Sequence, residues 1–197
     1  KIEPEIEAFA RIKVVGVGAD ASILLIAPAR SGIVVENAAR WTSIEDLRLT
    51  STTPRTTTWI TGGDGIEIYA HGVSLSRLVI ENFGRRGVSI DTRGGGNANL
   101  AVLTRVRAES NREHGFVAIG TNSNVLTFVS CDATNNGSSP DTYGFYDRAG
   151  NNVYINAHTD GNRSGGFLGE GAGGLVLNVY AESAEAFVFG ATSSGWE

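Results

Sequence analysis

The stretch CDATNNGSSPDTYGF, residues 131–145, decides the fold, because it is one copy of a repeat. A small residue sits inside a β-like run, a polar residue follows three positions later, and a Gly-Phe pair closes the segment. Upstream, RAESNREHGF (107–116) has the same order, and downstream NAHTDGNRSGGF (156–167) has it again. YAESAEAF (180–187) is a weaker copy that lacks the polar residue and the glycine. The small residues align as Ala108, Ala133, Ala157 and Ala181, with Ile80 upstream. Two residues earlier the column reads Leu78, Val106, Cys131, Ile155, Val179. Three residues later it reads Phe83, Asn111, Asn136, Asp160, Ala184.

A second set of columns begins at glycine. Gly32, Gly65, Gly87, Gly115, Gly144 and Gly166 each precede an apolar residue, ending in Phe116, Phe145 and Phe167, with Phe187 continuing the series. Each unit then holds two strands of period-two alternation with turns between them. A period of roughly 20–33 residues with that content is the pattern of a solenoid, in which each coil buries its inner face only against its neighbours. The expected fold is all-β, a parallel β-helix of about seven coils over residues 11–197. Residues 1–10 are read as an N-terminal cap or linker, with a short helix at 3–10. An α/β fold would need amphipathic helices of ten or more residues between strands, and none is found; a β-sandwich is the remaining alternative.

Composition agrees. The chain has 197 residues, enough for one domain with a core. Its 26 glycines fit many short strands joined by turns. The net charge of −5 and the lack of a basic cluster argue against nucleic acid as a partner. No apolar run reaches membrane-spanning length, so no membrane insertion is expected. Methionine is absent, which suggests a processed or excised segment. The single cysteine, Cys131, excludes an internal disulfide and is read as a buried hydrophobe. IKVVGVGADA (12–21) mimics a dinucleotide-binding fingerprint. The segment after it is too short and carries Pro28, so a glycine turn between strands is the reading.

The segments VVGVGADASILLIAP (14–28), GIVVENAARWTSIEDLRLTST (32–52) and the CDATNNG…YGF coils resemble right-handed parallel β-helix proteins of the pectate-lyase-like superfamily. That group includes polysaccharide lyases, polygalacturonase-type hydrolases, alginate epimerases and bacteriophage tailspikes. The resemblance covers about residues 11–190. It implies the handedness and a cross-section of three sheets. It also implies a polysaccharide partner and an extracellular or virion location. A tailspike-type domain, expected as a homotrimer, is the first reading. An independent polysaccharide lyase or glycoside hydrolase is the second, and a structural fibre or adhesin segment without catalysis is the third. No cofactor is expected, except Ca²⁺ if the chain is a lyase; no metal ligands are named.

Function grafted on a solenoid belongs on outward positions and loops. The outward columns read Arg77, Arg105, Ser130, Tyr154, Asn178, then Val79, Arg107, Asp132, Asn156, Tyr180, and on the other strand Tyr69, Asp91, Ile119, Arg148, Glu170. Aromatic faces can cover sugar rings, and Arg, Asn and Asp can bond hydroxyls or carboxylates; an ordinary solvated face is the alternative. Asp147, Arg148 and Glu170 form the acid–Arg group named as catalytic. Tyr146, Tyr143, Trp59, Asp132 and Arg107 are named as substrate-binding. The loops 53–64 and 135–143 are read as two walls around a gap of about three coils, roughly 14 Å, with Trp59 either a sugar platform or a cover for the solenoid side. TYGFYDR (142–148) is similar to the active-site coil of alginate epimerases, which carry Tyr-Gly-Phe-Asp-Pro-His. Tyr143, Gly144 and Phe145 match, but Tyr146 follows, Asp147 comes one position late, and the His is absent. A one-residue shift turns a side chain to the other face. His114 and His158 are expected as solvated histidines.

Overall fold

A computed structural model of the chain describes residues 11–52, 62–92, 96–182, 185–190 and 194–196. The possible cap at 1–10 and Trp59 lie outside them. The chain winds as an all-β parallel solenoid of about six turns, close to the seven expected. Three faces run along its length. The first carries β1 (Lys13–Val15), β4 (Ser43–Glu45), the first half of β7 (Ser74–Glu81) and of β9 (Val102–Glu109), β11 (Thr127–Val129), β14 (Asn152–Ile155), β17 (Ala172–Leu177) and β20 (Ser194–Trp196). The second carries β2 (Ile23–Ile26), β5 (Arg48–Ser51), the second halves of β7 and β9, β12 (Asp132–Thr134), β15 (His158–Asp160) and β18 (Tyr180–Glu182). The third is a 7-stranded sheet of β3 (Ile33–Val35), β6 (Ile66–Ile68), β8 (Val88–Ile90), β10 (Phe116–Ala118), β13 (Tyr143–Asp147), β16 (Gly165–Gly169) and β19 (Phe187–Phe189).

The glycine columns have a steric cause. A Cβ on Gly87 would lie 2.6 Å from the carbonyl oxygen of Gly115, and one on Gly115 would lie 2.7 Å from that of Gly144. Each of those carbonyls accepts from the next apolar residue, as Gly115 O does from Val88 N at 2.9 Å. Only glycine lets coils approach closely enough to make that bond. The phenylalanines that follow are stacked in the core. Phe116 and Phe145 lie 4.8 Å apart at 6°, and Phe167 continues the series at 6.5 Å. Dispersion and apolar burial favour like residue above like.

The first and second faces meet at a one-residue corner. Asp46, Arg77, Arg105, Ser130, Asn156 and Asn178 all have left-handed backbone, with φ between 51° and 60°. That conformation bends the chain without a loop, so β7 and β9 pass through the corner unbroken.

One part of the repeat differs from expectation. Ala133 pairs with Ala108 on one side and with Thr159, not Ala157, on the other; Thr159 pairs in turn with Ala181. The polar column is therefore Asn111, Asn136 and Asn162, with Asp160 outside it. Ala157 faces inward two residues earlier, beside Cys131. Both positions are buried, so smallness did not separate them. Thr159 holds the column because its Oγ1 accepts from Asn162 Nδ2. Tyr154, expected outward, is buried at 1 % exposure and stacks on Phe128 at 4.5 Å. The outward corner residue of that coil is Asn156.

Candidate functional site

The column at the end of the third face forms in the expected register, although its first member, Tyr69, is buried, its hydroxyl bonded to Glu67. Asp91 N donates to Ile68 O, Ile119 N to Ile90 O, Arg148 N to Ala118 O and Glu170 N to Asp147 O, each at 2.7–3.0 Å. Tyr69, Asp91, Ile119, Arg148 and Glu170 are thus stacked coil upon coil. Tyr146, outward on β13, donates its hydroxyl to Glu170 Oε2 at 2.8 Å. Arg148 Nε lies 3.3 Å from the same oxygen, and its side chain stays 60 % exposed. Partial burial, and then the bond to Glu170, raise the Tyr146 hydroxyl above its ordinary value.

Arg148 and Ile119, with Gly120, Thr121 and Ala149, line a concavity of about 320 Å³. Gly120 has φ 96°, and a Cβ there would lie 2.2 Å from Thr92 Oγ1 and 3.3 Å from Asp91 Oδ1. Thr92 and the Asp91 carboxylate therefore lie close against Gly120, at one edge of the concavity. Arg148, anchored on Glu170, supplies a guanidinium on another. The arrangement offers planar, charge-assisted donors and carboxylate acceptors to a hydroxylated or anionic ligand.

Asp147 does not join this group. Phe145 points inward, Tyr146 outward, so Asp147 points inward, and it is 0 % exposed. Its Oδ1 accepts from Ala149 N and Gly150 N at 2.9 and 3.2 Å. Its Oδ2 accepts from Asn152 Nδ2 and Tyr154 Oη at 2.8 and 2.9 Å. The expectation of an outward catalytic Asp147 is corrected: the carboxylate is buried in the core and bonded to four donors. Tyr143 is corrected likewise. It is buried, and its ring lies parallel to that of His114 at 6.2 Å.

His114 is not solvated either. It is nearly buried, its Nδ1 accepts from Tyr143 N at 3.0 Å, and its ring stacks on Tyr146 at 4.8 Å. Burial, with the Arg86 charge added, lowers its pKa from 6.5 to about 4. The unfolded chain then binds the extra proton between those values, so the stability contributed by neutral His114 is present above about pH 6.5 and lost as pH falls toward 4. Thermal melts should show the parent losing stability over that range, and His114→Phe losing less. Equal pH dependence in both would show that His114 is not the group responsible.

The gap expected between the two loops has a paved floor. Arg86 Nε is 3.3 Å from Glu113, and Arg85 lies 3.7 Å from buried Asp64 and 3.8 Å from Glu113. Most of the first wall, residues 53–61, falls outside the described residues. The concavity beside Arg148 opens where the chain leaves the third face, and the gap lies where it enters.

Arg107 and Asp132 stand together on the second face, apart from Arg148. Arg107 contacts Glu109 at 3.1 Å and Asp132 at 3.5 Å. Asp132 Oδ1 accepts from Thr134 Oγ1 at 2.6 Å and faces His158 Nδ1 at 3.1 Å. The His158 ring is parallel to that of Tyr180 at 5.7 Å. The two-residue register slip hid the His158–Asp132 pair from the sequence reading. Among the described residues, no group of three or more His, Cys, Asp or Glu is arranged to hold a metal ion.

The chain matches no family model and no curated protein sequence. Its fold is similar to a solved structure, the catalytic domain of a GH87 alpha-1,3-glucanase in complex with tetrasaccharides, with a TM-score of 0.52 and 15% identity. The match covers 93% of this chain and 36% of that one, so this chain spans about a third of its length. At that identity the likeness establishes the fold, a β-solenoid shared with a carbohydrate-active enzyme.

Proposed function

We propose that this chain is a polysaccharide-engaging β-solenoid domain whose ligand sits at the Arg148 concavity, acting outside the cell or on a virion. The observation that carries the reading is the exposed Arg148 guanidinium, anchored by Glu170 beside a space of about 320 Å³. Tyr146 and Asp91 offer further polar contacts around it. Polysaccharide is the ligand class because the concavity lies on the outer surface between two successive coils, beside an exposed guanidinium and a threonine hydroxyl that can bond sugar hydroxyls. The fold neighbour, solved in complex with tetrasaccharides, supports the same class.

A glycan array, followed by titration of the best polysaccharide, tests this. Arg148→Ala and Glu170→Gln should each weaken binding about tenfold or more, as expected for losing a charge-assisted contact. Their melting curves should stay within about 0.5 kcal/mol of the parent, because both side chains lie outside the core. Binding of an anionic glycan should also weaken with salt. Parent-like binding by both variants would place the site on another face.

Glycoside hydrolysis is the second reading, favoured by the neighbour being a catalytic domain. It needs two carboxylates about 5–10 Å apart across the scissile bond; Asp91 and Glu170 stand three coils apart in one column, roughly 14 Å, so they do not form that pair by themselves. Product analysis on the polysaccharide that binds separates it from binding alone, and an unsaturated product would instead mark a lyase.

A further inference from the structure

The corner where the chain enters the third face carries a column of its own. Arg112 N donates to Phe83 O, Gly137 N to Asn111 O and Arg163 N to Asn136 O, which sets Gly84, Arg112, Gly137 and Arg163 coil upon coil. Two arginines thus stand on either side of a glycine, two coils or about 10 Å apart. Gly137 has φ 93°, and a Cβ there would lie 2.8 Å from Arg163 Cβ and 2.1 Å from Thr142 Oγ1, so a side chain at that step is strained and crowded. The result is a notch with an arginine on each wall. Ser138 fixes one edge: its N and its Oγ both donate to Arg112 O, at 2.9 and 3.1 Å.

The charges at this corner are unbalanced. Arg48, Arg77, Arg85, Arg86, Arg107 and Arg148 each lie 3.7 Å or less from a carboxylate. Among the described residues, no carboxylate pairs with Arg112 or Arg163. Glu113, next to Arg112 in sequence, is held by Arg86 at 3.3 Å and Arg85 at 3.8 Å. Arg163 is exposed, where water serves its donors. Arg112 is half-buried, and its Nη1 is buried without an acceptor. A guanidinium N–H kept from water and left unbonded is costly, and folded chains rarely leave one so. The chain has acids to spare, with a net charge of −5, yet it does not spend one here.

We propose that the Arg112–Gly137–Arg163 notch is an oxyanion site that takes the carboxylate or sulfate group of an acidic polysaccharide. The oxyanion follows from the donors, since guanidinium forks pair with planar or tetrahedral oxyanions through charge-assisted bonds. Its carrier rests on the polysaccharide reading above. β13 runs from this corner toward Arg148, and its 5 residues span about 17 Å. One extended chain lying along β13 meets the notch at one end and the Arg148 guanidinium at the other.

Affinity electrophoresis with heparin (a sulfated chain), polygalacturonate (a carboxylated one) and neutral dextran tests this. At least one acidic chain should retard the parent more than dextran does, and less as salt is added. Arg112→Gln/Arg163→Gln should weaken that binding about tenfold or more. Inorganic sulfate alone is the second probe. At matched ionic strength it should raise the melting temperature of the parent more than that of the double variant, a comparison that subtracts the general stabilising effect of sulfate. The double variant should melt with the parent in chloride, because neither side chain has a partner among the described residues; if it does not fold, Arg163→Gln at its exposed position carries the test. Equal responses of parent and variant to sulfate and to the acidic chains overturn the proposal. Binding that Arg148→Ala removes and the double variant keeps overturns it too, and leaves the polysaccharide reading standing. A sulfate response confined to the parent, with no polysaccharide bound on the array, supports the oxyanion site and overturns its glycan carrier together with the polysaccharide reading.

Discussion

Asp147→Leu should cost the protein about 4 kcal/mol or more, the largest effect expected of any single substitution here. The carboxylate is fully buried and accepts from four donors: the backbone N–H groups of Ala149 and Gly150, Asn152 Nδ2 and Tyr154 Oη. Leucine accepts from none of them. Each buried donor left unsatisfied costs about 1–3 kcal/mol. Water does not replace the carboxylate readily, because Phe145, Phe167 and Trp196 pack around the Tyr154 ring. A domain of this size has about 5–15 kcal/mol of total stability, so the variant should be at or near the limit of folding. Asp147→Asn is the informative companion. It keeps one acceptor oxygen for the two backbone N–H groups and places an amide opposite Asn152 and Tyr154, so it should fold with an intermediate loss. Glycan binding by folded Asp147→Asn should equal that of the parent, since the group faces the core. Binding lost in proportion to neither stability nor folded fraction would return Asp147 to the site.

How much of this was legible in the sequence depended on what each column demands. The Gly87–Gly115–Gly144 and Phe116–Phe145–Phe167 columns were readable because a carbonyl approach and a core stack each admit few residue types. The left-handed corner was not readable. Its occupants are Asp46, Arg77, Arg105, Ser130, Asn156 and Asn178, and a corner that tolerates Arg as well as Asn leaves no residue-type signature. Tyr154 was read as outward because the repeat was aligned two residues early in that coil, which put Tyr154 rather than Asn156 at the corner beside Ser130. Asp147 was readable in principle. Alternation from Phe145 puts it inside, and the grouping with Arg148 and Glu170 overrode that rule. Tyr146, Arg148 and Glu170 came together because outward column neighbours are one coil apart, whatever their chemistry. The concavity beside them was invisible, because it depends on Gly120 letting Thr92 and Asp91 approach. Arg107 and Asp132 were paired correctly, but His158 needed the true register.

Asn136→Leu is expected to lose about 3–5 kcal/mol, and its neighbours read the register directly. Asn136 Oδ1 accepts from Asn111 N and Asn111 Nδ2 at 3.1 and 3.0 Å. Its Nδ2 donates to Ala108 O at 2.9 Å and Asn162 Oδ1 at 3.0 Å. The substitution removes all four bonds, leaves Asn111 N without its acceptor and Asn111 Nδ2 with Ile80 O alone, and takes a donor from Ala108 O, at about 1–3 kcal/mol for each group left unpaired. Leucine has the same branch point as asparagine but puts two bulkier methyl groups where the flat amide lies close against Gly115, so overpacking adds to the cost. The same reasoning predicts a loss of about 1–3 kcal/mol for Asn162→Ala, since Asn162 Oδ1 accepts from Asn136 N at 2.9 Å and its Nδ2 donates to Ala133 O at 2.8 Å. Asp160→Ala should stay within about 0.5 kcal/mol, because that side chain lies outside the ladder on the outward side of β15. Denaturant titrations of the three variants decide between two alignments of the same repeat. If Asp160→Ala costs as much as Asn162→Ala was expected to, while Asn162→Ala is neutral, the coil at 152–169 is threaded two residues away from the register described, and the His158–Asp132 pair on the second face goes with it.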